Sequence, residues 1–216
     1  MSHSFKKVKN SSDTIPSSFC LGFTLVEVLV TLGIMGVILS VILFNQRSYT
    51  EAATLLRVAD ELSLSIAQAQ VYGLAVRESV SGSADFDSGF GVSLSFLESG
   101  GENGYIFFTD LNNSQYFDGG WPCGVPECAQ KVEFPMGIRI ESFCVVRTAG
   151  SDQCNNVSRA DISFRRPVPD ARIFLYNNGG SSYYPPHLKG VRIVLRSPSG
   201  HTRSVTAYTT GQVSVQ

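Results

Sequence analysis

Between Phe23 and Phe44 the chain runs for 22 residues, FTLVEVLVTLGIMGVILSVILF, with one charge among them, Glu27. A helix of that length rises about 33 Å at about 1.5 Å per residue, enough to cross the hydrocarbon core of a bilayer. The run therefore reads as a membrane-spanning helix. An ionised carboxylate inside hydrocarbon costs about 2.5–3.5 kcal/mol and is ordinarily paired. The segment contains no Lys, Arg or His, so Glu27 needs a partner from outside it.

What precedes the run sets its orientation. Residues 1–22 are polar, carry Lys6, Lys7 and Lys9, and contain Pro16, which disfavours a continuous helix. Positive charge on this side places the N-terminus in the cytoplasm and the rest of the chain beyond the membrane. The junction itself, Gly22-Phe23-Thr24-Leu25-Val26-Glu27, resembles the processing site of type IV prepilins and type II secretion pseudopilins. The resemblance implies that a prepilin peptidase cuts between Gly22 and Phe23 and methylates the new amine of Phe23. It also implies that Glu27 pairs with an N-terminal amine, its own or a neighbour's, during assembly, which supplies the missing partner. An ordinary signal anchor explains the length but leaves Glu27 and the Gly-Phe junction as accidents. A cleaved secretory signal fits less well, because its apolar region is about 7–15 residues and ends at a small-x-small site.

Beyond the span the helical pattern continues. Glu51, Leu55, Ala59, Leu62, Ile66 and Ala69 recur at three- and four-residue steps, with Glu51 the one polar member, while Arg57, Asp60, Glu61, Gln68 and Glu78 mark the opposite face. The pattern predicts an amphipathic helix to about residue 78, tolerating Gly73, until the turn-rich stretch Ser79 to Asp87 ends it. Gly33 and Gly36 in the membrane half allow close helix packing or local melting, or are simply tolerated there.

From Phe90 the period changes to two. Gly91–Phe96, Tyr105–Thr109, Lys131–Phe134, Ile138–Arg147, Asp161–Phe164, Arg172–Tyr176, Val191–Arg196, Thr202–Tyr208 and Gln212–Val215 read as strands of an antiparallel sheet, each bounded by Gly, Pro, Asn or Ser. Ser197-Pro198-Ser199-Gly200 and Thr209-Thr210-Gly211 read as hairpin turns between the last three. The expected fold class is α+β, a long N-terminal helix packed on antiparallel strands, and it is similar to the pilins. The organisation is a leader at 1–22, a membrane and assembly helix at 23–46, and one extracytoplasmic domain at 47–216. The ending resembles the GspH/FimT minor branch in Ile162-Ser163-Phe164, in Val191 to Arg203, and in Gly211-Gln212-Val213.

Of five cysteines, Cys20 lies in the leader, and Cys123, Cys128, Cys144 and Cys154 remain after processing. An even count beyond a membrane points to disulfides, and Cys123–Cys128 with Cys144–Cys154 is favoured among the pairings because each closes a short loop. A zinc site and free thiols are the competing readings, although C-x4-C and C-x9-C are not tight knuckle spacings.

Charge is divided unevenly. Without the leader the chain has 14 basic and 17 acidic residues, yet from Arg159 onward there are eight basic against two acidic. Such polarity fits a basic surface for an acidic partner, complementary faces between stacked subunits, or a solvated strand face. Alternation puts Arg192, Val194 and Arg196 on one face and Arg172, Phe174 and Tyr176 on another common face. Guanidinium groups beside aromatic rings suit a nucleic-acid strand, and Arg172, Arg192, Arg196 and Arg203 are the candidate contacts. Some FimT-like pilins bind DNA through a basic C-terminal region, so the resemblance carries a DNA-uptake subunit as an alternative.

No catalytic arrangement emerges. His3 lies in the leader, and His187 and His201 sit beside Pro186 and Gly200, without a nucleophile motif or a phosphate loop. Asp110-x-Asn112-x-Ser114 with Asp118 places oxygen donors at alternate positions as a calcium loop does, but the glycine and closing glutamate are missing. A hairpin tip held by Asx hydrogen bonds is the better reading. No cofactor and no metal are called for. The partners are the peptidase, other pilins or pseudopilins, and the inner membrane before assembly. The function implied is a minor subunit of a type IV pilus or a type II secretion pseudopilus, the remaining alternative being an unprocessed, single-pass, membrane-anchored binding protein.

Overall fold

The structure, a computed structural model, describes residues 22–75 and 87–216. The expected leader up to residue 21 and most of the expected turn-rich stretch lie outside the described residues. Contacts divide the chain into two units between Phe44 and Asn45.

Helix α1, Leu25–Leu74, is the N-terminal element. No part of Leu25–Leu43 is buried inside the protein, as an all-round apolar surface requires if its solvent is lipid. In the second unit the expected stripe is the buried one: Leu55, Ala59, Leu62, Ile66 and Ala69 are all inside the core, joined by Val58. Glu51, the polar member, is buried too, and its Oε2 accepts the Ser199 N–H at 2.9 Å. Helix α1 ends at Leu74 with Ala75 at a bend, and residues 76–86, where the expected end near residue 78 falls, lie outside the described residues. In its last turn the Gly73 carbonyl accepts the Arg166 N–H at 3.0 Å.

Ten strands follow. They are β1 (Gly89–Ser95), β2 (Gly104–Asp110), β3 (Cys128–Glu133), β4 (Arg139–Arg147), β5 (Arg159–Arg165), β6 (Val168–Tyr176), β7 (Ser182–Tyr183), β8 (Leu188–Arg196), β9 (Thr202–Tyr208) and β10 (Val213–Val215). All pairings are antiparallel, but they form two sheets, a six-stranded one in the order β3-β2-β1-β5-β6-β7 and a four-stranded one in the order β10-β9-β8-β4. Each expected strand is present. The two-residue β7 carries no periodic signal and was not anticipated.

One core joins the α1 stripe to the inward faces of both sheets: Phe90, Val92, Leu94 and Ile162 from the first, Phe143, Val191, Ile193, Leu195 and Val205 from the second. Tyr72 stands edge-on to Phe90 and Phe107, and Phe96 meets Phe143 at 4.8 Å where the sheets approach. The other face of the six-stranded sheet has its own cluster, Ile106, Phe108 and Phe117. The residues that follow β2 supply Phe117 and so cover this face.

Candidate functional site

Gly22, Phe23 and Thr24 precede α1 in non-helical backbone. Thr24 caps the helix: its Oγ1 accepts the Glu27 N–H at 3.2 Å and its carbonyl accepts the Val28 N–H at 3.2 Å. Thr24-Leu25-Val26-Glu27 thus has the Thr-x-x-Glu spacing of a capping box, and Glu27 stands at the third helical position. That is where unsatisfied N–H groups favour negative charge, which lowers but does not remove the cost of a carboxylate in lipid. No described residue forms an ion pair with it. Phe23 is 81% exposed, and nothing approaches the Cα of Gly22 on its side-chain side.

Across the domain, the residues following β2 are fastened by carboxylates. Asp110 accepts the Ser114 N–H with Oδ1 and the Gln115 N–H with Oδ2, both at 2.9 Å, and Asn112 Oδ1 also accepts the Ser114 N–H. This is the expected Asx-type turn, with the Asp110 oxygens spent on backbone donors rather than turned toward a cation. Burial pushes the Asp110 carboxyl above its ordinary value against those hydrogen bonds. Glu127 accepts the Leu111 and Asp118 N–H groups. The sulfurs of Cys123 and Cys128 are at disulfide distance within this segment, as are those of Cys144 and Cys154 elsewhere, the two pairings favoured by the sequence.

The centre of this fastening is Asp161, fully buried on β5. Arg159 grips it with Nε at 3.0 Å and Nη2 at 2.7 Å, Ser93 Oγ donates at 2.6 Å, and the Phe117 N–H at 3.3 Å. Arg159 also donates to the Phe117 carbonyl and lies 4.8 Å over the Tyr176 ring. Burial raises the Asp161 carboxyl, with Arg159 opposing; burial lowers Arg159, with Asp161 more than reversing it. These shifts disagree about whether pairing outweighs burial, and the geometry decides for the ionised pair, because every group directed at the carboxylate is a donor. Burial, then Asp161, pushes the Tyr176 hydroxyl up to about 12. The signal for this centre was the two-residue spacing of Arg159 and Asp161, which puts both on one face of a strand.

The four arginines named as candidate nucleic-acid contacts are not brought together. Arg172 is on β6 of the six-stranded sheet, whereas Arg192, Arg196 and Arg203 belong to the four-stranded sheet. Arg203 stands opposite Leu195, and Arg196 opposite Thr202; since directly opposed residues share a face, Arg203 is on the other side from Arg192 and Arg196. Arg192 pairs with Asp152 at 2.8 Å and Arg196 with Glu141 at 2.6 Å. The aromatic partners are engaged as well, Phe174 with Tyr116 and Tyr176 with Arg159. The counter-charges come from 40 and 55 residues earlier in the chain, where strand alternation could not reveal them.

The architecture is α+β and pilin-like, an apolar N-terminal helix leading into antiparallel sheet. Residues 18–43 match the family described as the prokaryotic N-terminal methylation motif, which spans the Gly22–Phe23 junction, Glu27 and most of the apolar run. The match supports a type IV prepilin-like protein, and with the one membrane-length apolar helix among the described residues it is consistent with a single-pass membrane anchor. Comparisons with curated proteins and with solved structures gave no match.

Proposed function

We propose that this chain is a minor prepilin or pseudopilin, cut between Gly22 and Phe23, methylated at Phe23, and assembled through α1 into a type IV pilus or a type II secretion pseudopilus. Before assembly it is held in the inner membrane with its leader in the cytoplasm and its domain outside. The observation that carries the reading is the methylation motif at the head of an exposed apolar helix, with Glu27 at the third helical position and no cation beside it among the described residues. A processed N-terminal amine of a neighbouring subunit meets that carboxylate and removes the cost of holding it in hydrocarbon. The resemblance to the GspH/FimT branch and the cysteine-bearing loops support a minor rather than a major subunit. A DNA-uptake role finds little support, because the arginines that motivated it are dispersed or paired.

The test is Glu27→Ala, with Glu27→Gln beside it, expressed with the peptidase and the other pilins. Both variants should lose their leader yet be absent from sheared filaments or overexpressed pseudopili. Incorporation at wild-type levels would overturn the assembly role of Glu27.

A further inference from the structure

The edge strands are β3 and β7 of the six-stranded sheet and β10 and β4 of the four-stranded one. An uncovered edge offers free N–H and C=O groups to any extended chain, and proteins ordinarily block it with charge, proline, shortness or a covering segment. Three of these edges are blocked. On β3 the Lys131–Glu133 ion pair stands within the strand. Strand β7 is two residues long, and Pro185 and Pro186 follow it. Strand β4 carries Arg139 and Glu141, and beyond them the N–H and C=O of Val145 are taken by Gln153.

Strand β10 has none of these guards. Gln212-Val213-Ser214-Val215-Gln216 contains no charged side chain and no proline. Its pairing with β9 fixes which backbone groups are free. Gln216 and Ser204 exchange both N–H···O bonds at 2.9 Å, so by antiparallel alternation Ser214 and Thr206 do the same, and Val213 and Val215 turn their N–H and C=O away from β9. No described residue bonds those outward groups. Ser214 adds a second sign, because its Oγ is buried and has no hydrogen-bond partner among the described residues.

We propose that β10 pairs antiparallel with β10 of a second copy of this chain, about a twofold axis through Ser214. The register names the occupant. An axis at Ser214 sets Val213 opposite Val215 of the second copy, and Val215 opposite Val213 of the second copy; these residues hold the free groups, so each pair exchanges both N–H···O bonds. A strand without charge does not repel itself. Ser214 meets its own copy at the non-hydrogen-bonded position between those pairs, where side chains stand closest, and rotation about Cα–Cβ gives the two unpartnered hydroxyls to each other. The valines, already packed at the margin of the core, gain β-branched partners across the axis. An unrelated extended segment would satisfy the backbone but not the hydroxyl. The pairing uses the domain alone and does not depend on cleavage after Gly22, on Glu27 or on filament assembly, so it stands or falls separately from the proposed function.

The experiment uses the purified full chain in maltoside micelles at rising protein concentration, with dimer counted by native mass spectrometry. Hydrogen exchange at residue resolution on the same wild-type samples reads the edge without any substitution. The Ser214 amide should be protected throughout, and the Val213 and Val215 amides should become protected as dimer forms. Val215→Pro removes an outward N–H and leaves the bonds to β9, so it should raise the dimer dissociation constant about thirtyfold, the effect of one lost bond in each copy. Ser214→Lys and Ser214→Glu each set like charges opposite one another and should weaken the dimer about fivefold, whereas an equimolar mixture of the two variants should form the mixed dimer more tightly than either variant pairs with itself. A wild type that stays monomeric would overturn the proposal, as would Val213 and Val215 amides that exchange alike at every concentration. So would a dimer unchanged in Val215→Pro, which would belong to the apolar span, or a mixture of the Ser214 variants no tighter than each alone.

Discussion

Replacing Gly73 by alanine sets two effects of opposite sign against each other. Helix propensity alone predicts stabilisation of about 0.8–1.0 kcal/mol at most, and less in a last turn. The packing predicts the reverse. A methyl group at Gly73 would stand 2.3 Å from the carbonyl oxygen of Phe164, 2.7 Å from its carbon and 3.0 Å from its Cβ, where ordinary contact begins at 3.4 Å. Two of these are backbone atoms of β5, a strand fixed between β1 and β6, so they cannot swing aside as a side chain would. Overpacking of this kind costs about 1–3 kcal/mol. Displacing α1 would also stretch the Arg166 N–H bond to the Gly73 carbonyl, worth about 1 kcal/mol. The net expectation is a loss of about 1–3 kcal/mol, or about 2–12 °C in Tm for a domain of this size. Thermal unfolding of the full chain in micelles, followed by near-UV circular dichroism from Trp121 and the domain tyrosines, measures it. Gly33→Ala is the control, since nothing lies within 4 Å of the position its methyl would take. A midpoint for Gly73→Ala equal to or above wild type would refute the close helix-to-sheet approach.

Two further predictions concern the covered face of the six-stranded sheet. Asp161→Ala leaves Arg159, whose side chain is 14% exposed, without its counter-charge, and should cost about 3–5 kcal/mol in urea unfolding. The double replacement Asp161→Leu with Arg159→Met should cost clearly less than the single one, and a strictly additive pair would contradict the coupling. Tyr176 provides a pH signature: its hydroxyl titrates at about 12 in the folded chain and near 10 when unfolded. A raised acid pKa means that the unfolded state releases its proton first, so this group's contribution to stability falls as pH rises from about 10 to about 12. Ultraviolet titration should show a late tyrosinate step that disappears in Tyr176→Phe. Persistence of that step in the variant would assign it elsewhere.

Short-range pattern was legible and long-range pairing was not. The stripe from Leu55 to Ala69 and the alternation of Val191, Ile193 and Leu195 were visible because each element must present one apolar face to the core. The same pattern could not explain Glu51, whose partner Ser199 lies 148 residues away. Nor could it divide the strands into two sheets, since β1 joins β2 but also β5, and β4 joins β8 across intervening strands. The basic half of the chain looked exposed because Asp152 and Glu141 belong to segments that alternation does not relate to β8. The cover over Phe108 was legible in part: the Asx turn at Asp110 was expected, but Glu127 and Asp161 hold the segment through the N–H groups of Leu111, Asp118 and Phe117, and backbone donors leave no mark in sequence. At the N-terminus the legibility was local: the Gly22–Phe23 junction, Glu27 and most of the apolar run lie within the stretch that matches the methylation-motif family.

Intact-protein mass spectrometry of the chain recovered from cells that express the prepilin peptidase tests the processing itself. A mature species that begins at N-methylated Phe23 is expected, and an uncleaved species alone when the peptidase is deleted. Recovery of a chain that keeps its first 22 residues in peptidase-positive cells, or one cut at another bond, would contradict it.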